Sequence, residues 1–463
     1  MAINRNKLAY GLFFVLVAVF ILIALKGLMA PQPGDENTYY YMGRLISEGK
    51  IPYKDFFFAH PPLHIYLIAL IYKIFGFNII FLKSIPLIST LISAFFIFKI
   101  ANEKFGNAEA ILSSLLFLFS YSTMFNSVFS FGIDVATMFL VVGVYFLWNK
   151  NNYILSGIFF GLAGITRLLT LMPIFVILVA VLFSNKKNFL KLSLGFLILF
   201  LFANGIFAFF FGDNYLTPVY KFHLLKSFGS KENYKEYADI LKLNWLLFST
   251  FSLFIFVKEK KPISISAIVS FTYLLFLITL KKIFGFYFIV IFPFLAIIGS
   301  YSILSLFKAF KKFNLSKNVN ILISIVFFSI FAWNLTADTL FLEKIGFKGF
   351  ERGKDLVDFI NSVSNKDTQL FGDDSVVPLM ALLTNKKITL DFVDTNNQVF
   401  LSGVRDLKGV LADLKGKDVL FIIRSAQGIS YFSEVKEFLN SKCKFLSKFH
   451  DKIEGSYLVY RCR

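Results

Sequence analysis

The apolar run Leu8–Met29, LAYGLFFVLVAVFILIALKGLM, leads within a few residues into the polar and aromatic stretch Gly34–Gly76, GDENTYYYMGRLISEGKIPYKDFFFAHPPLHIYLIALIYKIFG. A helix needs about 20 apolar residues to cross the hydrocarbon core of a bilayer, so the first run spans it. Arg5 and Lys7 precede the run, as in a signal peptide. It is long for an h-region, lacks a clean small-x-small cleavage site, and is followed by many similar runs. A retained first span is the reading that fits.

Composition extends this to most of the chain. Of 463 residues, 57% are hydrophobic, 63 are Phe and only 17% are charged, against about 25% charged in soluble domains. A water-soluble core could not hide that much apolar surface. The formal charge of +19 would suggest nucleic acid on a soluble chain. Here the basic residues sit in short loops between apolar runs, where they act as topology signals.

The candidate spans are Leu8–Met29, Phe77–Phe98, Ala108–Phe125, Asp134–Trp148, Tyr153–Arg167, Leu169–Phe183, Leu190–Phe211, Leu243–Val257, Pro262–Leu280, Phe284–Leu306 and Val319–Ala337. Tyr153–Phe183 could be one tilted helix or two short ones. Two helices place Asn4–Lys7, Lys99 and Lys104, Lys150, Lys186 and Lys187, Lys258, Lys260 and Lys261, and Lys308, Lys311, Lys312 and Lys317 on one side. The positive-inside rule favours that count. The expectation is an α-helical polytopic protein of about 11 transmembrane helices over 1–340, in the plasma membrane, with a cytoplasmic N-terminus.

Three segments then face outward: Ala30–Gly76, Gly212–Lys242 and everything after about Asp338. The first has an amphipathic stretch at Thr38–Glu48, a turn at Gly49, and a His-Pro-Pro-Leu entry into Ile65–Phe75. That last piece is apolar but too short to cross, so it reads as an interfacial helix. The tail, 345–463, alternates helices and strands and reads as an extracytoplasmic α/β domain. Helices are expected at Gly353–Ser364, Val376–Leu383 and Ser433–Asn440, and strands at Thr368–Phe371, Asp418–Ile423, Cys443–Phe449 and Ser456–Cys462. A hairpin symmetric about the turn Asp451–Glu454 sets Phe449 opposite Ser456 and Cys443 opposite Cys462, within reach of a disulfide. Two unpaired thiols are the other reading. The tail shows no phosphate loop, metal cluster or Ser/His/Asp set, so acceptor recognition or scaffolding is its expected role.

Adjacent acids, Asp35 and Glu36, stand at the mouth of the membrane. Asp35 could equally be a helix N-cap and Glu36 a partner for the helix dipole. Asp134 opens the fourth span, where a carboxylate that slid to the bilayer centre would cost about 2.5–3.5 kcal/mol. Arg167 closes the fifth, as a functional cation or a snorkelling one. Lys281 and Lys282 enter from outside near the tenth. His60 and His64 could ligate zinc, but Pro61 and Pro62 intervene and fix the chain's entry instead. His223 reads as a loop histidine.

Residues 34–76 resemble the first extracytoplasmic loop of GT-C glycosyltransferases, closest to the protein O-mannosyltransferase-like group that includes the aminoarabinose transferases. The shared pattern is Asp-Glu after the first span, a Tyr-containing helix, a Gly turn, an aromatic stretch, Pro-Pro-Leu and a closing Phe-Gly. Asp134, the Gly157–Arg167 segment and Tyr287–Pro293 match further family features. His60 and Arg167 depart from it, the second standing where the family has Lys. The resemblance is specific over Leu8–Phe183 and implies transfer of a sugar from a polyprenyl-phosphate donor to a glycan, lipid or protein acceptor. It implies inversion, with Asp35 as base and Asp134 as second site acid. Arg167 and Lys282 would stabilise the phosphate, and Glu36, Tyr39 and His60 would line the substrate. Relatives differ in metal use, so a divalent cation (Mg, Mn or Zn) on Asp35 and Asp134 stays open. A flippase of lipid-linked sugars, or a scaffold protein whose tail does the work, are the alternatives. The first needs polar residues deep in several spans, whereas the charges here cluster at span boundaries.

Overall fold

A computed structural model describes residues 5–226, 230–311, 317–425, 428–451 and 455–463. Asn4 and Lys312 of the basic loops, and Lys452–Glu454 of the hairpin turn, lie outside the described residues. The chain divides into two compact units. One comprises Met1–Leu28, Lys83–Asn204 and Gly229–Gly346; the other comprises Met29–Leu82, Gly205–Phe228 and Phe347–Arg463.

The membrane helices form because lipid leaves backbone N–H and C=O groups no partner except each other. Among the described residues, 6 helices are long and apolar enough to cross: Arg5–Met29, Ile79–Lys104, Lys186–Phe211, Lys261–Thr279, Gly285–Ala309 and Ile325–Gly346. The count is 7 if Glu232–Leu243 and Trp245–Phe256, bent by 81°, form one span. Shorter apolar helices run at Asn107–Leu118, Ile133–Trp148, Tyr153–Gly164 and Leu168–Ser184.

Tyr153–Phe183 is two helices, broken at Ile165–Arg167, the count that the loop charges favour. The run expected as one span at Ala108–Phe125 is instead broken at Phe119–Ser120. There the Ser122 amide donates to the Asn244 side chain at 3.0 Å, and Asn244 returns a bond to the Ser122 hydroxyl at 2.8 Å. The stretch read as an outward loop before Leu243 holds a helix, Ser230–Leu243. Close approach of two helices is set by glycine. A Cβ on Gly157 would lie 2.2 Å from the Leu192 carbonyl, and one on Gly195 would lie 2.2 Å from the Ile154 carbonyl. The Tyr153–Gly164 and Lys186–Phe211 helices therefore meet backbone to backbone.

In the second unit, helix Asp35–Ser47 packs on helix Leu63–Phe75. Their closest approach is again at a glycine, since a Cβ on Gly43 would meet Ile68 Cγ2 at 2.6 Å. The tail folds around a 4-stranded sheet of order β1-β2-β4-β3, with β1 Gln369–Gly372, β2 Val419–Arg424, β3 Cys443–Asp451 and β4 Gly455–Cys462. β1 and β2 are parallel, and the other pairings are antiparallel. Phe371, Leu411, Val419, Phe421, Val435 and Leu439 make its core. Two short helices, Asn397–Leu401 and Leu407–Asp413, join those expected from the sequence.

Cys443 pairs with Cys462 across β3 and β4, and the two form a disulfide. The hairpin is not symmetric. A bulge between Phe445 and Ser447 moves Phe449 opposite Tyr457 and His450 opposite Ser456. One extra residue on one strand is enough to do this.

Candidate active site

Asp35 is the first residue of its helix, capped by Gly34, so it is not an N-cap. Its side chain is exposed, whereas Glu36 beside it is buried and accepts a hydrogen bond from Tyr40 at 3.2 Å. Residues four apart share a helix face, which places Tyr39 one turn below Asp35. The Tyr39 ring meets His60 and His64 edge-on, at 6.1 and 5.4 Å between centroids.

His60 is held by its own loop. Tyr53 has a left-handed backbone, φ 70°, which is costly for a bulky residue. It packs at 4.9 Å on Tyr215 and donates its hydroxyl to the His60 carbonyl at 2.7 Å. His223 stacks on the His60 ring at 5.5 Å, and its Nε2 lies 2.7 Å from the Ala59 carbonyl. A carbonyl only accepts, so Nε2 carries the proton of that bond. Phe57, Ala59, Phe222 and Val399 pack together below, joining the first loop, the 213–226 segment and the tail.

The tail brings further carboxylates. Burial holds Asp374 well above the usual carboxylate range; Asp373, Asp35 and Asp394 push it further, and Arg424 opposes them. Asp394 is pushed up to about 6, by burial first and by Asp35 in smaller part, against its hydrogen bond from the Asn396 amide and the charge of Lys226. Asp35, Tyr39, His60, His223, Lys226, Asp374 and Asp394 therefore belong to one unit. His223, Lys226, Asp374 and Asp394 were invisible as site residues in the sequence, since each lies more than a hundred positions from Asp35.

The other unit holds Asp134, Arg167 and Lys282. Asp134 sits in the first turn of helix Ile133–Trp148, which Gly132 caps with a φ of 75°. It is 3% exposed; Oδ1 accepts from Thr90 at 3.3 Å and Oδ2 has no hydrogen-bond partner. A half-satisfied buried carboxylate is expensive. Arg167 lies in the helix break, 5% exposed, and donates to the Phe131 carbonyl just before that helix. Lys83, a single cation inside an apolar run, is fully buried, with Nζ 3.1 Å from the Gly27 carbonyl and 4.7 Å from the Phe129 ring centre. Two cations thus grip the 126–132 turn that leads to Asp134. Lys282 is ion-paired with Glu232.

Among the described residues no group of three or more His, Cys, Asp or Glu is arranged to hold a metal ion.

Comparison with known proteins identifies the architecture. A family profile described as dolichyl-phosphate-mannose-protein mannosyltransferase matches residues 59–207. The fold is similar to ArnT of Cupriavidus metallidurans in its apo state, with TM-score 0.70 and 14% identity, covering 98% of each chain. The undecaprenyl-phosphate-bound ArnT gives 0.69 and 14%, over 97% of this chain and 98% of that one. The oligosaccharyltransferase AglB of Archaeoglobus fulgidus, in complex with an inhibitory peptide and a dolichol-phosphate, gives 0.56 and 10%, over 96% and 74%. No curated protein sequence matches the chain. By fold, the chain is similar to ArnT and AglB along most of its length.

Proposed function

We propose that the protein transfers a sugar from a polyprenyl-phosphate donor to an acceptor on the extracytoplasmic face, with inversion at the anomeric carbon. The observation that carries this is Asp35: an exposed carboxylate on the first turn of a buried helix, beside a histidine-aromatic wall, in a chain whose whole length follows a lipid-phosphate-binding GT-C enzyme. The loop charges support an outward orientation for this unit, and a tail disulfide suits that side.

The acceptor O–H or N–H gives its proton to Asp35 as its lone pair attacks the anomeric carbon. The bond from that carbon to the phosphate oxygen breaks, and polyprenyl phosphate leaves. Attack opposite the leaving group inverts the centre, as in the two-carboxylate logic of inverting glycosidases. A cation must meet the charge that develops on phosphate. Arg167 is our first assignment; Lys282 would first have to leave Glu232. Asp134, with one oxygen unsatisfied, is assigned to acceptor positioning. Tyr39 and His60 line the substrate, Glu36 supports their helix from its buried side, and no step is routed through a metal.

The test uses purified protein with a panel of undecaprenyl-phosphate hexoses and pentoses, radiolabelled in the sugar. Transfer or slow hydrolysis is expected, and at least about a hundredfold less in Asp35→Asn. Wild-type turnover in that variant would remove Asp35 as base. Translocation across vesicles without sugar release would replace the enzyme by a flippase.

A further inference from the structure

The helix that carries Asp35 has three faces, and each is spoken for. Glu36, Tyr40 and Gly43 follow each other at four and three residues and lie on the side where Gly43 abuts Ile68 of the Leu63–Phe75 helix. Asp35 and Tyr39 form the side toward His60 and His64. The third side, Gly34, Thr38, Tyr41 and Arg44, faces the tail, with Arg44 also paired to Glu48 at 2.8 Å.

The contacts are evenly stepped. The Gly34 amide donates to the Ser375 carbonyl at 2.8 Å. Thr38 Oγ1 donates to the Asp374 carbonyl at 3.1 Å. The Ile388 amide donates to the Tyr41 hydroxyl at 2.7 Å. Arg44 reaches the Lys386 carbonyl at 3.4 Å, and beyond the helix Lys50 pairs with Asp391 at 3.1 Å. Just upstream, the Phe350 amide donates to the Pro31 carbonyl at 2.9 Å. Most of the partners are tail main-chain atoms, so it is the tail's folded shape that grips the helix. Tyr41 is 1% exposed, and burial pushes its hydroxyl up to about 12, which keeps it a neutral acceptor for Ile388 at every working pH.

We propose that the C-terminal domain is the positioning element of the transfer site: residues 374–391 clamp the Asp35 helix along one face, and Thr38 and Tyr41 are positioning residues for Asp35. This rests on Asp35 being the base. The sequence suggests an accessory tail; the clamp makes it a fixed part of the site. A reacting group displaced by about 1 Å can lose about a hundredfold in rate, while a lipid donor held elsewhere binds as before. The clamp therefore acts on kcat and leaves KM alone.

The full-length protein is assayed for sugar release from the undecaprenyl-phosphate panel member it turns over fastest. Tyr41→Phe and Thr38→Val are each expected to lower kcat about tenfold with KM for the donor within about twofold. A charge exchange provides the second test at the solvent-accessible end, away from the buried contacts. Lys50→Asp alone lowers kcat, and Lys50→Asp with Asp391→Lys restores it. Folded variants with wild-type kcat, or a KM that rises in step with the loss, overturn the clamp. So does an exchange that restores nothing, even if the buried variants fail to fold. If Asp35→Asn retains turnover, the base assignment falls; if Asp35→Asn is inactive and the clamp variants are normal, the clamp alone falls.

Discussion

Replacing Asp394 by Asn should stabilise the protein at neutral pH, although it removes a charged residue beside the site. Asp394 is held up at about 6 rather than the ordinary 3.8, mainly by burial. For a carboxyl whose folded pKa is raised, the stabilising contribution is fully present below the unfolded pKa. It is lost as pH rises through the folded one. A rise of about two pH units at about 1.36 kcal/mol each is about 3 kcal/mol. The side chain keeps partial access to water, which cuts this to about 1–2 kcal/mol. Asn keeps the oxygen that accepts the Asn396 amide at 3.2 Å and carries no charge to bury. Thermal unfolding of the full chain in detergent, from pH 4.5 to 8, reads the effect. At about 2–4 °C per kcal/mol for a unit of this size, the variant should melt several degrees above wild type at pH 8, with a clearly smaller gain near pH 4.5 that vanishes only below the unfolded pKa of about 3.8. No gain at pH 8, or the same gain at both ends, would refute the reasoning.

Three further outcomes follow from particular contacts. Cys443→Ser with Cys462→Ser opens a loop of 19 residues and should cost the tail about 3 kcal/mol, seen as a lower unfolding midpoint that reductant no longer changes. Gly157→Ala places a methyl 2.2 Å from the Leu192 carbonyl and should lower the melting temperature by the equivalent of about 1–3 kcal/mol; Gly205→Ala, with nothing within 4 Å, should leave it unchanged. Arg461 holds Asp418 down at about 2 through hydrogen bonds of 2.7 Å to each oxygen. That stabilisation is present above about pH 4 and lost as pH falls toward 2. Asp418→Asn should therefore lower the midpoint at pH 7 by the equivalent of about 1–2 kcal/mol, after allowance for solvent screening, and have no effect at pH 2.

Among the described residues, six of the eleven expected spans are helices long and apolar enough to cross; these were legible because lipid imposes a length and a composition. Strand and helix positions in the tail were legible from alternation, with VLFII of β2 the clearest case. Three features were not. The break at Phe119–Ser120 depends on Asn244, a partner in another helix. Ser230–Leu243 is rich in Lys and Glu and so reads as a loop until something shows which face it buries. The bulge at Phe445–Ser447 shifts a register by one residue without any glycine or proline to mark it. In the candidate site, Asp35, Tyr39 and His60 drew notice because they stand together in one loop. His223, Asp374 and Asp394 could not, since only tertiary folding carries them there.

The clamp also has a consequence for how the protein is made. Thr38 and Tyr41 leave the ribosome early, yet their partners are 336 and 347 residues further along the chain. At about 5–20 residues per second, the Asp35 helix waits at least about 15 seconds of synthesis for the segment that fixes it. During that interval the nascent chain can enter the bilayer span by span, but the Asp35 helix lacks its contacts with the tail. A later-made segment thus completes the setting of a much earlier one, and a ribosome that stops short of residues 374–391 leaves the Asp35 helix without these contacts.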